Sequence, residues 1–282
     1  MALASDALPS SSSSSPSVSS ETVSDGVEMA ARVGYAAKGV VYAVIGGLAV
    51  KEAFGSGGDV TGSREALREI ASGPFGTILL GVVTVGLAAY VIWRLVQAVV
   101  DPDADADDSD GKRWAQRAFY FFSAVVYGLL TWYGISILIG SGGGSSSSSS
   151  QQTQGLLAHG WGAWVVGLAG VAIIARGGWQ LWKAYTDRFR KKIRRFDLGP
   201  VQGRWVLRAS RVGLTARGVV FGIIGVSLIY AALTRNASNA QGTEGALGLL
   251  VGTPWLLGAV GAGLCCYAVY QWVKARYRII GL

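Results

Sequence analysis

The sequence predicts an all-α polytopic membrane protein whose six transmembrane helices form three parallel two-helix repeats with pseudo-threefold symmetry. Hydrophobic residues make up 51% of the 282 residues and charged residues only 15%, whereas a typical soluble domain has about 25% charged residues. The apolar residues lie in six blocks, and the chain repeats itself three times. So few charges could hardly cover a soluble surface, and this composition therefore disfavours a soluble enzyme.

Each of the six apolar blocks is long enough to cross a membrane, which takes about 20 largely apolar residues. None of the blocks contains an acidic residue, and three contain one basic residue each, namely Lys38, Arg176 and Arg217. The blocks are residues 33–50, 74–93, 118–140, 160–182, 212–233 and 245–273.

Composition shifts along the chain predict its organisation. Serine-rich and glycine-rich runs are typical of disordered tails and flexible linkers. A secretory signal is not predicted at the N-terminus, because the first 28 residues lack Lys, Arg and an apolar core. The predicted segments are a disordered serine-rich cytosolic tail (1–28), repeat 1 (29–100), an acidic cytosolic connector (101–113), repeat 2 (114–185, with a Gly/Ser-rich outer loop at 141–159), a basic cytosolic loop (186–207) and repeat 3 (208–278).

The basic residues are divided unequally between the two sides of the predicted membrane. Eighteen of the 25 fall on the side of the two termini, four on the opposite side and three inside spans. By the positive-inside rule this bias places both termini in the cytosol, as expected for a multi-pass protein of the plasma membrane. The densest basic cluster, residues 188–195, is expected to bind anionic phospholipid at the cytosolic face. Nucleic acid is disfavoured as a partner, because the charge follows membrane topology.

Self-comparison reveals three copies of one helix-loop-helix unit. Residues 31–42 (ARVGYAAKGVVY) match 210–221 (SRVGLTARGVVF) at seven of twelve positions and 116–127 (QRAFYFFSAVVY) at five. The second helices also repeat, as 90–98 (YVIWRLVQA), 176–184 (RGGWQLWKA) and 267–275 (YAVYQWVKA). Copies with the same topology are related by an axis along the membrane normal.

These motifs resemble those of the family called domain of unknown function 1206. The R-x-G-Y-x-A-K/R-G-V-V-Y/F opening and the W/Y-R/Q-x-x-Q/K-A closing carry the resemblance over residues 29–278. In the middle copy Phe119 and Ser123 replace the glycine and the basic residue of the pattern. The resemblance implies a prokaryotic integral membrane protein with three tandem two-helix repeats, and it implies no activity, substrate or site.

Charged residues inside spans are costly and are candidate functional residues. The three intramembrane cations Lys38, Arg176 and Arg217 have no carboxylate within any span. One interpretation is that each long side chain snorkels to the cytosolic headgroups. The alternatives are convergence near the pseudo-threefold axis to bind an anion or lipid headgroup, and bonding to backbone carbonyls. The tentative site consists of these residues and the three basic anchors Arg32, Arg117 and Arg211.

The second helix of each repeat carries a polar and aromatic stripe at helical spacing. Its repetition suggests a vestibule that faces the cytosol, while an interfacial belt explains the nearby Trp93, Trp179, Trp182 and Trp272. The stripe consists of Tyr90, Arg94 and Gln97, then Arg176, Gln180 and Lys183, then Tyr267, Gln271 and Lys274.

Glycines recur at equivalent positions of the repeats, and small residues let membrane helices approach closely. We therefore expect these glycines to pack helices rather than to form a site. They are Gly34 and Gly213, Gly39 and Gly218, and Gly46 and Gly225.

The sequence contains no pattern typical of catalysis or of a resident cofactor or metal. The alternating aspartates at 101–107 lack the glycine and closing glutamate of a calcium loop. No nucleophile–base pair or phosphate loop is recognisable. We expect a structural or accessory membrane protein that interacts with anionic lipid or with a membrane protein partner. The alternative is a small-solute or anion transporter or channel with a path along the pseudo-threefold axis.

Overall fold

A computed structural model describes residues 18–55, 60–100, 110–140, 149–159, 161–186 and 200–277 of the chain. Several sequence predictions fall outside these ranges. They concern the serine run at 10–15, the acidic run at 101–107, the basic cluster at 188–195 and all but the last two residues of the Gly/Ser linker at 142–150.

Six of the described helices are long and apolar enough to cross a membrane, which confirms the six predicted spans. Helices satisfy their own backbone hydrogen bonds, as the hydrocarbon core requires. The first helix, α1 (Val18–Ala53), begins earlier than the predicted start of repeat 1, and α7 (Pro200–Thr234) begins earlier than that of repeat 3. The spans are α1 (Val18–Ala53), α3 (Gly76–Val100), α4 (Asp110–Leu138), α6 (Gly162–Tyr185), α7 (Pro200–Thr234) and α9 (Pro254–Tyr277), and the shorter helices between them are α2 (Ser63–Ser72), α5 (Ser149–Leu157) and α8 (Thr243–Gly248).

The six spans pack as an almost closed ring in chain order. Extended contacts join α1 to α3, α3 to α4, α6 to α7, α7 to α9, and α9 back to α1. Within the described residues, α4 and α6 are the consecutive pair without such packing. We call the end of the bundle at which α1, α4 and α7 begin the terminal end, and the end that carries α2, α5 and α8 the hairpin end. The all-α fold with three two-helix repeats is thus as predicted.

Two short helices at the hairpin end bury their apolar side chains against the bundle. Helices α2 and α8 carry the repeated Ala-Leu pair, Ala66 with Leu67 and Ala246 with Leu247, and all four side chains are fully buried. They belong to one apolar cluster with the hairpin-end halves of the spans. The repeat of this dipeptide in the sequence therefore reflects equivalent packing of two loop helices.

The repeated glycines lie at close helix crossings, as predicted. A Cβ atom added to Gly46 on α1 would lie 2.6 Å from the carbonyl oxygen of Gly261 on α9. At the equivalent crossing of α7 and α6, a Cβ atom on Gly225 would lie 2.7 Å from the carbonyl oxygen of Gly170. Two of the interfaces between repeats are therefore built on the same glycine contact.

The neighbouring Gly46 and Gly47 provide a matched test of this packing. Gly46→Ala is expected to destabilise the protein by about 1–3 kcal/mol, because the new methyl group overpacks the crossing. Gly47→Ala is expected to be neutral or stabilising, since a Cβ atom there meets nothing within 4 Å and alanine favours the helix. Thermal unfolding of both variants in detergent measures the difference. Equal melting temperatures would contradict this description of the α1–α9 interface.

Candidate functional site

Two equivalent tyrosine pairs mark the centre of the bundle. Tyr42 on α1 packs edge-on against Tyr267 on α9, with ring centroids 4.8 Å apart and an interplanar angle of 71°. Tyr127 on α4 packs against Tyr90 on α3 at 4.7 Å and 73°. The repeat alignment equates Tyr42 with Tyr127 and Tyr267 with Tyr90, so the pseudo-threefold symmetry extends to side-chain geometry at two interfaces between repeats.

Lys38 lies inside the bundle beside the second of these pairs. Its side chain is 2% exposed, and Nζ donates a hydrogen bond of 3.0 Å to the Tyr90 hydroxyl. The ammonium also lies 4.7 Å from the Tyr90 ring centroid and 4.6 Å from that of Tyr127. Contacts of a cation with aromatic faces contribute about 0.5–2 kcal/mol each. Lys38 is thus held by neutral groups from two neighbouring spans.

Arg217 occupies the equivalent position on α7 and is 8% exposed. Its Nε donates to the Tyr42 hydroxyl at 3.0 Å. One terminal nitrogen donates both to the Tyr267 hydroxyl at 2.7 Å and to Oε1 of Gln180 on α6 at 3.2 Å. The guanidinium also stacks on Phe221 at 4.4 Å. One side chain thereby joins all of the spans α1, α6, α7 and α9.

Arg94 extends the polar region along α3 and is likewise 8% exposed. Its Nε donates to the Tyr90 hydroxyl at 2.8 Å, and a terminal nitrogen donates to Oε1 of Gln97 at 2.9 Å. The guanidinium lies 5.2 Å from the ring centroid of Tyr120 on α4. The Tyr90 hydroxyl therefore accepts hydrogen bonds from two cations, Lys38 and Arg94.

Two half-buried cations complete the group. Arg176 on α6 stacks on the Phe119 ring of α4, with Cζ 4.6 Å from the ring centroid. Lys274 on α9 lies 4.9 Å from the Tyr35 ring and 5.1 Å from the Tyr270 ring. Tyr35 packs on Tyr90 with ring centroids 5.6 Å apart, which links Lys274 to Lys38 and Arg94. Arg176 lies one turn from Gln180, which accepts a hydrogen bond from Arg217. We call these five residues the cationic cluster: Lys38, Arg94, Arg176, Arg217 and Lys274.

Three members of the cationic cluster, Lys38, Arg94 and Arg217, bind no carboxylate in the part of the chain that the structure describes. An ion pair joins Arg32 to Glu28 on one face of α1. The hydrogen bonds of Lys38, Arg94 and Arg217 go to neutral tyrosine and glutamine oxygens. Because a buried charge without an opposite charge is costly, this arrangement favours the binding of an anion.

Two glutamine side chains beside the cationic cluster have an unsatisfied polar atom. Gln180 is 2% exposed and Gln271 is 1% exposed, and they occupy equivalent positions on α6 and α9. Nε2 of Gln180 and Oε1 of Gln271 are buried without a hydrogen-bond partner. Such groups usually have partners in a folded protein. The unsatisfied Gln180 donor, next to Arg217, matches an acceptor oxygen of a bound anion.

The three basic anchors of the tentative site do not join the cationic cluster. Arg32 pairs with Glu28. Arg117 donates to the carbonyl oxygens of Ala98 at 2.7 Å and Val99 at 2.6 Å, at the C-terminal end of α3, where cations satisfy free carbonyls. Arg211 is exposed on α7. These residues were grouped by sequence equivalence, but Arg32 and Arg117 bind other groups than the tyrosines that hold Lys38 and Arg217.

Snorkelling is the wrong interpretation for Lys38 and Arg217, because both side chains are buried and bind interior tyrosines. The belt interpretation is wrong for Trp93, which is 1% exposed and donates to the Tyr35 hydroxyl at 3.1 Å. The polar stripe of the second helices does line the interior. Tyr42 as a hydrogen-bond acceptor and Tyr127 as a cation-binding ring were not predicted from the sequence, although both end the repeated V-V-Y/F motif.

Comparisons with known proteins agree with the repeat. The family described as Domain of Unknown Function (DUF1206) matches this chain three times, at residues 33–101, 118–187 and 212–278. A protein of Bacillus subtilis (strain 168), described as "Uncharacterized protein YxxB", is 30% identical over 253 residues, which are 88% of this chain and 90% of the relative. No solved structure matches the chain.

Proposed function

This chain belongs to the DUF1206 family of threefold-repeat sequences, and we propose that it is an integral membrane protein that binds a phosphate-bearing anion inside its bundle. The anion is the headgroup phosphate of an anionic phospholipid or free inorganic phosphate. One observation carries the proposal: the buried cations Lys38, Arg94 and Arg217 bind neutral oxygens, and Arg217 lies beside the unsatisfied amide donor of Gln180. The role is that of an accessory binding protein rather than an enzyme.

The chemistry of the cationic cluster suits a phosphate group. Guanidinium groups bind phosphate oxygens through paired N–H donors, and lysine adds a point charge. An anion beside Arg217 and Lys38 would offset the repulsion between them and accept the free hydrogen of Gln180 Nε2. Binding therefore reduces the electrostatic repulsion between cations of the unliganded bundle, in addition to forming new contacts.

The sidedness of the protein follows from its basic residues. The positive-inside bias supports cytosolic N- and C-termini in the plasma membrane of a prokaryote. Arg94 and Lys274 extend the cationic cluster toward the terminal end of the bundle, six and three residues before the ends of α3 and α9. The anion is therefore supplied from the cytosolic leaflet or the cytosol.

Binding is better supported than conduction along the pseudo-threefold axis. Beyond the tyrosines, a path toward the hairpin end would meet the apolar cluster that includes the fully buried Ile45, Leu67 and Leu247. An ion that leaves water for such surroundings would lose its hydration shell. Flux of phosphate across liposomes that contain the purified protein would overturn this part of the proposal.

The proposal is tested by thermal unfolding of the purified protein in detergent at constant ionic strength. Ligand at 100 times its dissociation constant stabilises by about 2.7 kcal/mol. One arm adds inorganic phosphate in place of chloride, and the other adds short-chain phosphatidylglycerol in place of phosphatidylcholine. Stabilisation by phosphate identifies a free anion, and stabilisation by phosphatidylglycerol alone identifies a headgroup. No stabilisation in either arm would refute the proposed function.

Lys38→Met is expected to weaken binding of the stabilising anion by about tenfold or more, since a hydrogen bond to a charged group contributes about 1.5–3 kcal/mol. The variant should still fold, because it removes a cation that its neighbours repel. Lys51→Met is the matched control, as Lys51 is exposed at the hairpin end of the same helix. Calorimetric titration compares the two. Equal affinities would place the bound anion away from Lys38.

A further inference from the structure

The two spans of the middle repeat, α4 and α6, lack the extended backbone packing that joins the other neighbouring spans of the ring. We call this loosely packed side of the bundle the lateral opening. In the other two repeats the first and second helices pack against each other along their length, as α1 does on α3 and α7 on α9. In α4 and α6, 22% of the most apolar stretch is buried, compared with 44–56% in the other four spans. The ring therefore lacks close helix packing on this side.

The sequence explains this opening. In repeats 1 and 3 a glycine on the first helix touches the backbone of a tyrosine on the second. A Cβ atom on Gly34 would lie 2.6 Å from Tyr90 Cα, and one on Gly213 would lie 2.4 Å from the Tyr267 backbone nitrogen. The repeat alignment places Phe119 and Arg176 at the corresponding positions of the middle repeat. A phenyl ring at this position keeps α4 away from α6.

A second pair of positions also favours the separation of α4 from α6. Gly86 packs closely on Ala37, and Gly263 packs closely on Ala216. In the middle repeat the position of these alanines is taken by Phe122, which is 45% exposed. Two phenylalanines on successive turns of α4 thus replace the two small residues at which the paired helices of repeats 1 and 3 pack closely.

The polar groups reached first from this opening belong to the cationic cluster. Arg176 extends from α6 across to Phe119 on α4. One turn further along α6 lies Gln180, whose Oε1 accepts from Arg217 and whose Nε2 has no partner. The opening therefore leads from an apolar surface to a cation and an unsatisfied donor. That combination of an apolar entrance and a cationic end matches an amphiphilic anion.

We propose that an anionic phospholipid enters the bundle sideways between α4 and α6, so that its phosphate binds Arg176, Gln180 and Arg217 while its acyl chains remain in the opening. This inference rests on the proposed function and assigns its ligand to the lipid. A free anion would have to arrive from water, whereas a gap between two membrane spans faces the bilayer. Phe119 and Phe122 then serve as wedges that hold the entrance open.

The experiment uses the full chain in phosphatidylcholine nanodiscs that contain phosphatidylglycerol with a photoreactive acyl chain. Irradiation and peptide mapping are expected to place the label on α4 and α6, and unlabelled phosphatidylglycerol should compete whereas phosphatidylcholine should not. The Phe119→Gly/Phe122→Ala variant has the small residues of the other repeats at these positions. The photoreactive lipid should label this variant less than the parent protein. Phe121→Gly is its control, because Phe121 is exposed on the same helix.

A second variant tests the headgroup contact without touching the wedges. Arg176→Gln is expected to reduce specific labelling by about tenfold, which corresponds to about 1.4 kcal/mol. Arg208→Gln, at an exposed arginine of α7, should label like the parent. Label on the outer faces of other spans alone, or Arg176→Gln labelling equal to that of the parent, would overturn lateral entry. The proposed function would survive that result wherever phosphate or phosphatidylglycerol still stabilises the protein.

Discussion

A Gln180→Glu variant is expected to unfold at a higher temperature than the parent protein and to lose affinity for phosphate-bearing ligands. Gln180 is buried, its Oε1 accepts from Arg217 at 3.2 Å, and its Nε2 has no partner. The nearly isosteric carboxylate removes the unsatisfied donor and supplies the missing negative charge. A hydrogen bond to a charged group contributes about 1.5–3 kcal/mol, and each kcal/mol raises the melting temperature by about 2–4 °C.

The same substitution should weaken anion binding by about tenfold or more, because a fixed carboxylate competes for Arg217 and repels phosphate. Thermal unfolding without ligand and titration with the stabilising anion measure the two effects. Gln154→Glu makes the same change of charge at an exposed position on α5 and should alter neither. If Gln180→Glu lowered the melting temperature and left binding intact, the cationic cluster would not be an anion site.

Tyr90→Phe is expected to destabilise the protein by about 3 kcal/mol. The Tyr90 hydroxyl accepts from Lys38 at 3.0 Å and from Arg94 at 2.8 Å. Its removal leaves two buried cations short of an acceptor at once, and an unsatisfied buried group costs about 1–3 kcal/mol, or more when it is charged. The aromatic ring is retained, so packing against Tyr127 and the contact with Lys38 persist.

Tyr127→Phe is the matched control for this variant. Tyr127 offers its ring to the same ammonium at 4.6 Å, and within the described residues its hydroxyl accepts from no member of the cationic cluster. Its free energy of unfolding should therefore stay within about 1 kcal/mol of the parent value. Chemical unfolding in detergent micelles compares the two. Similar losses for both would show that aromatic packing, rather than the hydroxyl, holds Lys38 and Arg94.

The sequence predicts the fold well because two independent signals agree. Apolar length identifies the spans, and the repeat pairs them, so that Gly46 and Gly225 were expected at helix crossings and lie there. What the sequence does not reveal is which face of a span looks inward. In a helix that is apolar on all sides, periodicity does not separate the core face from the lipid face. Lys38 was therefore equally compatible with snorkelling and with burial.

The candidate site could be predicted only in part, for the same reason. Repeat equivalence related Lys38 to Arg217, and the polar stripe contained Arg94, Arg176 and Lys274. Their common surroundings depend on tyrosines from neighbouring repeats, and such long-range contacts leave no local pattern. Likewise, the exchange of glycine for Phe119 is visible in the sequence, but its effect on α4 and α6 depends on packing.

The contact between α1 and α9 has a consequence for biosynthesis. The first and last spans are neighbours, and Arg217 binds Tyr42 across 175 residues of chain. While the ribosome is still making the middle of the protein, the glycine-rich face of α1 has no partner. Pairs such as α1–α3 and α3–α4 can assemble during insertion, whereas the ring closes only after the final helix leaves the translocon. Native contacts of such long sequence separation form late, so chains that terminate before α9 should be recognised by quality control as incomplete.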